Sequence, residues 1–268
     1  MLIQIWMIQM NKGLSFPRFK ASDIIKSLDI RYPEEIEVED IAYICHLLVR
    51  ERTLDGSDGR LVRKGNWGIA TIDRKIPELG RKRFAISHEL GHFKLHKNTV
   101  KLCNEKDFLW WGMSESEERQ ANEFAAELLM PEFLFKPICK SIIPCFDYIS
   151  CLAEQFRTSL TATAIRYVEY SPYSCAIVTS QNKIIKWFAH SENFTYYINV
   201  GSELDHDTVA FDFFNGKELP SSMEPVIAEA WIDSDKIKRD AMINEQAIAL
   251  KHYNTVISII WAEEDIDN

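Results

Sequence analysis

The sequence predicts an α+β protein in two parts: a mainly helical part with a small sheet over residues 1–170, and a β-rich α+β part over 171–268. Three observations carry this reading. Between Ser114 and Pro131, the residues Ala121, Phe124, Ala125, Leu128 and Leu129 recur at helical spacing. Before them, the turn residues Asp55-Gly56-Ser57-Asp58-Gly59 lead into two short strands, about 60–64 and 67–72, joined through Lys64-Gly65-Asn66. After Ser171-Pro172 the texture changes: Cys175–Ser180 and Lys183–Phe188 flank Gln181-Asn182 as a β-hairpin.

Taken in order, the chain opens on the apolar run Met1–Met10, too short to span a bilayer and without a basic leader. It reads as a strand or as an extension ahead of a start at Met10. Helices are expected over about 20–30 and 36–52. In the second, Glu37, Glu39 and Asp40 load the N-terminal turn, where the helix dipole favours acids. Ile41, Ile44, Cys45 and Leu48 then give it a buried face. Ser114 and Glu117 form a capping box for the helix that Pro131 stops. Three more helices are expected over about 132–141, 146–156 and 160–170. Beyond the hairpin, Asn193–Ile198, Ala210–Phe214 and residues 222–233 are strand candidates, a helix is expected near 241–253, and Val256–Trp261 is a last strand.

Composition narrows the function classes. Hydrophobic residues make up 46% and charged residues 26% of 268, as in a soluble globular protein with ample core material. The net charge of −9 is uneven. Residues 201–268 hold 15 acids and 5 bases, whereas residues 1–200 hold 25 and 26. The acidic end argues against a broad nucleic-acid surface there. The six cysteines are scattered without a C-x-x-C pair, which fits reduced, mostly buried thiols in a cytoplasm.

One stretch carries chemistry. His88-Glu89-Leu90-Gly91-His92 places two histidines four apart, one turn of helix, so both imidazoles face one point. Zinc takes neutral histidine nitrogens, and Glu89 beside them suits a general base that stays off the metal. A catalytic zinc usually has three protein ligands and one open position, so a third ligand is sought on another element. Glu118 precedes Ala121 by three and Ala125 by seven and projects from their thin face, where a second helix approaches. It is the acid best placed to meet His88 and His92. Glu115, Glu117, Glu123 and Glu127 suit a solvated face. Asn122, four after Glu118, is placed to hydrogen-bond a ligand or the neighbouring helix. His96 would lie ~12 Å beyond His88 along an unbroken helix, a structural or supporting position. Trp110-Trp111-Gly112 reads as core rather than cleft.

H-E-L-G-H followed by Glu118-x-x-Ala121-Asn122-x-Phe124-Ala125-Ala126-x-Leu128-Leu129-Met130-Pro131 resembles the ImmA/IrrE family of zinc metallopeptidases. Gly59–Gly65, Gly68–Asp73 and Arg83-Phe84 are similar too, so the likeness covers about residues 36–170. It implies a zincin-like fold and cleavage of helix-turn-helix repressors. In zincins the strand before the active helix binds extended substrate at a sheet edge, which here points to Trp67, Gly68, Ile69, Ala70, Thr71 and Ile72.

A second class comes from residues 146–170, whose Leu152-Ala153-x-x-Phe156-x-x-Ser159-x-x-Ala162 pattern resembles a helix-turn-helix. Its second helix carries Arg166 as its only base, too few for phosphate contacts, so direct DNA binding is not expected. The expectation is therefore a cytoplasmic zinc endopeptidase with a protein substrate, a transcriptional repressor, and no membrane partner. The alternative is a regulatory binding module built on the same fold. The role of residues 171–268 and the oligomeric state are not legible.

Overall fold

Pro17 stands in the first turn of helix α1 (Phe16–Ser27), where a missing N–H leaves nothing unpaired. The computed structural model describes residues 14–96, 101–103, 116–233, 237–250, 254–263 and 266. Two expectations, Met1–Met10 as a strand and the Ser114 capping box, fall outside these residues, as does Trp110-Trp111-Gly112. The chain divides into one compact unit of Met1–Phe135 with Ala153–Ser159, and a second of Lys136–Leu152 with Leu160–Asn268. Eight α-helices and two sheets are described, a mixed α+β architecture.

In the first unit, α2 (Val38–Ile44) ends far earlier than expected. Cys45 caps it and His46 turns the chain at φ +68°, after which Leu47–Arg52 is strand β1. The leucine and valine of that stretch satisfy a strand as well as a helix. A parallel partner decides: β1 pairs with β3 (Trp67–Asp73) from Leu47↔Gly68 to Arg52↔Asp73. Strand β2 (Gly59–Lys64) joins β3 as a two-residue hairpin, with Gly65 at φ +61° in the turn. With β4 (Lys101–Cys103), the sheet order is β1-β3-β2-β4.

This order corrects one expectation. Strand β3 is interior, with β1 on one side and β2 on the other, so the backbone of Trp67–Ile72 has no free edge for a substrate strand. Ala70 and Ile72 are fully buried, and Gly68 is buried against Leu47 and Phe93.

Helix α3 (Leu79–Leu95) covers one face of this sheet, above Leu61, Ala70 and Ile72. Helix α4 (Ser116–Leu129) crosses α3 at close range. A side chain at Gly91 would meet Ala121 Cα at 3.1 Å and Phe124 Cδ1 at 3.2 Å, so glycine and alanine set the spacing. Glu127, expected on a solvated face, is instead fully buried, and its Oε1 accepts the backbone N–H of Glu132 at 3.1 Å. That bond satisfies one of the open donors at the start of α5 (Glu132–Cys139). Both α5 and α6 (Phe146–Phe156) run across the division between the units.

The second unit takes in α7 (Leu160–Tyr170), which the sequence expectation had grouped with the first part. Its sheet has the order β6-β5-β9-β8-β7. The strands are β5 (Ser174–Gln181), β6 (Ile184–His190), β7 (Glu224–Ile227), β8 (Met242–Leu250) and β9 (Thr255–Ala262). Asn182 and Lys183 make the β5–β6 turn with φ of 53° and 65°, the paired positive angles of a type I′ hairpin. Residues 242–250, expected as helix, form β8 between β7 and β9. Asn193–Ile198 takes no regular strand, although Phe194 and Ile198 are buried in this core.

Ala210–Phe214, an expected strand, lies in helix α8 (Val209–Phe214) for a long-range reason. The carboxylate of Glu245 on β8 accepts the N–H groups of Val209 (2.8 Å) and Ala210 (3.0 Å), while Thr208 caps Phe211. Trp231 Nε1 and Ser258 Oγ donate to the same carboxylate at 2.8 and 2.9 Å. Cys45, Cys139, Cys145, Cys151 and Cys175 are free thiols. Among the described residues no helix is long and apolar enough to cross a membrane.

Candidate metal centre

Helix α3 is pinned before it delivers its histidines. Arg83 is buried and donates to Ile36 O at 2.7 Å, and Ser87 Oγ donates to Arg83 O one turn earlier. Burial, with Arg157 nearby, lowers the Arg83 pKa to about 10, still far above neutrality. One turn on, His88, Glu89 and His92 are all fully buried.

Helical spacing brings the two imidazoles together as expected, with His88 Nε2 and His92 Nε2 3.0 Å apart. Helix α4 supplies Glu118, whose Oε2 lies 3.1 Å from His88 Nε2 and 3.2 Å from His92 Nε2. The same helix supplies Asn122, whose Oδ1 lies 2.8 Å from His88 Nδ1. An amide oxygen only accepts, so His88 carries its proton on Nδ1 and presents a lone pair at Nε2.

Charge favours a cation at this point. Burial lowers the His92 pKa, keeping the ring neutral. Burial pushes the Glu118 carboxyl up, but the contacts from His88 and His92 outweigh it and hold it well below the usual carboxylate range. Two imidazole nitrogens and one carboxylate oxygen thus converge, and these three residues can hold a metal ion. Tetrahedral ligands ~2.0–2.1 Å from zinc stand about 3.3 Å from one another, close to the separations found here.

Glu89 lies outside that three-atom cluster, on the sheet side of α3. It faces Gly59, where a methyl group would stand 2.4 Å from Glu89 Oε1. His96 departs from the expectation of an unbroken helix. Helix α3 ends at Leu95, and His96 takes extended backbone. Its Nδ1 lies 3.0 Å from His92 Nδ1 and its Nε2 lies 3.2 Å from Gln120 Oε1. The sequence reading missed Gln120 and the role of Gly59. A glycine at the head of a strand facing the active helix was the available signal for the latter.

Arg166 in α7 is buried, paired with Glu169 at 3.0 Å, and stacked on Tyr170 at 4.6 Å from the ring centre. The only base of that helix is therefore engaged inside the unit.

An H-E-x-x-H helix and a crossing helix with a carboxylate ligand together define an α+β domain with a candidate metal centre. Residues 48–167 match the Peptidase_M78 family model, the IrrE N-terminal-like domain, and this match supports an ImmA/IrrE-family metallopeptidase. Among solved structures, the chain is similar in fold to a Mycobacterium tuberculosis transcriptional regulator. The TM-score is 0.55 at 10% identity, covering 91% of this chain and 75% of that one. No curated protein matches it in sequence.

Proposed function

We propose that this chain is a cytoplasmic zinc-dependent endopeptidase on a zincin-like fold, and that its substrate is a helix-turn-helix transcriptional repressor. The observation that carries the catalytic reading is the convergence of His88, His92 and Glu118 on one point, with Glu89 following His88 in the sequence. His88, His92 and Glu118 would hold the zinc. When bound, that ion supplies Lewis acidity, polarising the scissile carbonyl and making water acidic enough to attack near neutral pH.

The chain's own residues do the rest. Glu89 takes the proton from the attacking water and passes it to the leaving amine. Asn122 holds the His88 ring and its tautomer, leaving Nε2 free to bind. His96 does the same for His92 across the 3.0 Å contact between their Nδ1 atoms. Residues 1–170 form the catalytic part in this reading, with 171–268 as an accessory part.

The match of residues 48–167 to the Peptidase_M78 model supports a repressor as substrate, and the fold shared with a transcriptional regulator supports work in transcription control. The experiment is incubation of the zinc-loaded chain with purified repressors encoded by neighbouring genes, followed by intact-mass analysis. One or a few defined cuts, absent with Glu89→Gln, are expected. Tight binding of a repressor without any cut would favour the regulatory-module alternative.

A further inference from the structure

The first sheet has a second face, and the register shows what it carries. Leu48, Ile69 and Val62 stand side by side across β1, β3 and β2, because Leu48 pairs with Ile69 and Ile69 with Val62. Leu61, Ala70 and Ile72 have the opposite parity and are fully buried on the α3 side. Leu48 is 44% exposed, Val62 41% and Trp67 46%. A sheet with one face in water normally alternates to polar residues there, so a row of large apolar side chains marks a contact surface.

Charge frames this row. Arg50 and Arg60 pair with Thr71 of β3 from either side, Arg52 follows Arg50 by two, and Lys64 pairs with Trp67. All four cations are exposed. Asp73 is the one acid of β1–β3 with the same parity, and it is buried, its Oδ1 accepting the backbone N–H groups of Leu54 and Lys75. The rim is thus basic, although the chain as a whole carries −9.

We propose that this face docks an acidic amphipathic helix of a partner protein. The dimensions agree: three strands ~4.8 Å apart present a strip about 10 Å wide, the diameter of one helix with its side chains. Leucine-type residues on the incoming helix would cover Leu48, Ile69 and Val62, and its flanking carboxylates would meet Arg50, Arg60 and Lys64. Layered α/β packing covers a sheet this way. Single-stranded nucleic acid fits less well. The middle of the strip is aliphatic, and the Trp67 ring is occupied by His46 at 4.7 Å and Tyr43 at 6.4 Å rather than offered for base stacking. The inference does not depend on the peptidase reading.

The test uses the full chain and a fluorescent peptide of about 20 residues, the length of a typical recognition helix, with leucine on one helical face and glutamate on the other. A lysine version and a mixed-sequence single-stranded DNA serve as competitors. Wild type is expected to bind the acidic peptide, less tightly as salt rises, and not the basic one. Val62→Asp and Arg60→Glu, both at exposed positions, should each weaken binding about tenfold or more with unchanged circular dichroism. Lys26→Glu on α1 should bind as wild type. No binding of the acidic peptide, or equal binding by Val62→Asp, would overturn the proposal. So would DNA binding or self-association of the wild type that Val62→Asp abolishes, which would assign the face to nucleic acid or to a second copy.

Discussion

Gly59 and Glu89 are matched across the space between β2 and α3: a methyl group on the first would stand 2.4 Å from Oε1 of the second. Glu89 is fully buried, so its carboxylate has little room to retreat. Gly59 sits in extended backbone and needs no positive φ, so any cost of alanine there reports the collision alone. Gly59→Ala should therefore destabilise the chain by about 1–3 kcal/mol, as overpacking does. Glu89→Asp draws the carboxylate back and should recover most of that loss in the double variant. Urea midpoints of the four proteins measure the coupling, and strict additivity would place the Glu89 carboxylate elsewhere.

The donor set predicts metal behaviour independently of any substrate. Purified wild type should retain close to one zinc after dialysis. His88→Ala and Glu118→Ala should lose it, each removing one of three converging atoms. Asn122→Ala, which removes only the partner of His88 Nδ1, should weaken zinc affinity about 10–100-fold. Competition with a chelator gives these numbers. Undiminished affinity in Glu118→Ala would rule it out as the third ligand.

Glu89→Gln should keep zinc and fold while losing cleavage of the true substrate by about 10²–10⁴-fold, the usual worth of general-base assistance. A His88→Ala control should lose both metal and cleavage. Zinc-loaded Glu89→Gln that cuts at the wild-type rate would refute the assigned role.

Glu245 makes a prediction about the second unit. Burial raises its pKa, although donors from Trp231, Val209, Ser258 and Ala210 pull the other way. A carboxyl with a raised folded pKa contributes most below its unfolded pKa and loses that contribution as pH rises through the folded value. Each oxygen accepts two hydrogen bonds, so a glutamine amide would set its NH2 against two donors. Glu245→Gln should thus cost roughly 1–3 kcal/mol. The gap to wild type should be widest at mildly acidic pH and narrow towards pH 8. Urea unfolding across that range checks both size and sign; a gap that widens with pH would contradict the raised pKa.

Local periodicity by itself determined the heart of the candidate site. His88 and His92 are four apart on one helix, and Glu118 shares a face with Ala121 and Ala125 on another, so covalent spacing fixes where each points. The same logic located β2, β3, the helices at 146–156 and 160–170, and the β5–β6 hairpin. The remaining elements are set by partners far along the chain. Leu47–Arg52 is a strand because β3 lies beside it, and β3 lost its free edge to the same pairing. Val209–Phe214 is a helix because Glu245, some 35 residues on, accepts its first N–H groups. A hydrophobic period records which side of an element is apolar. It does not record which neighbour arrives, and burial, strand order and the pairing of buried carboxylates all depend on that arrival.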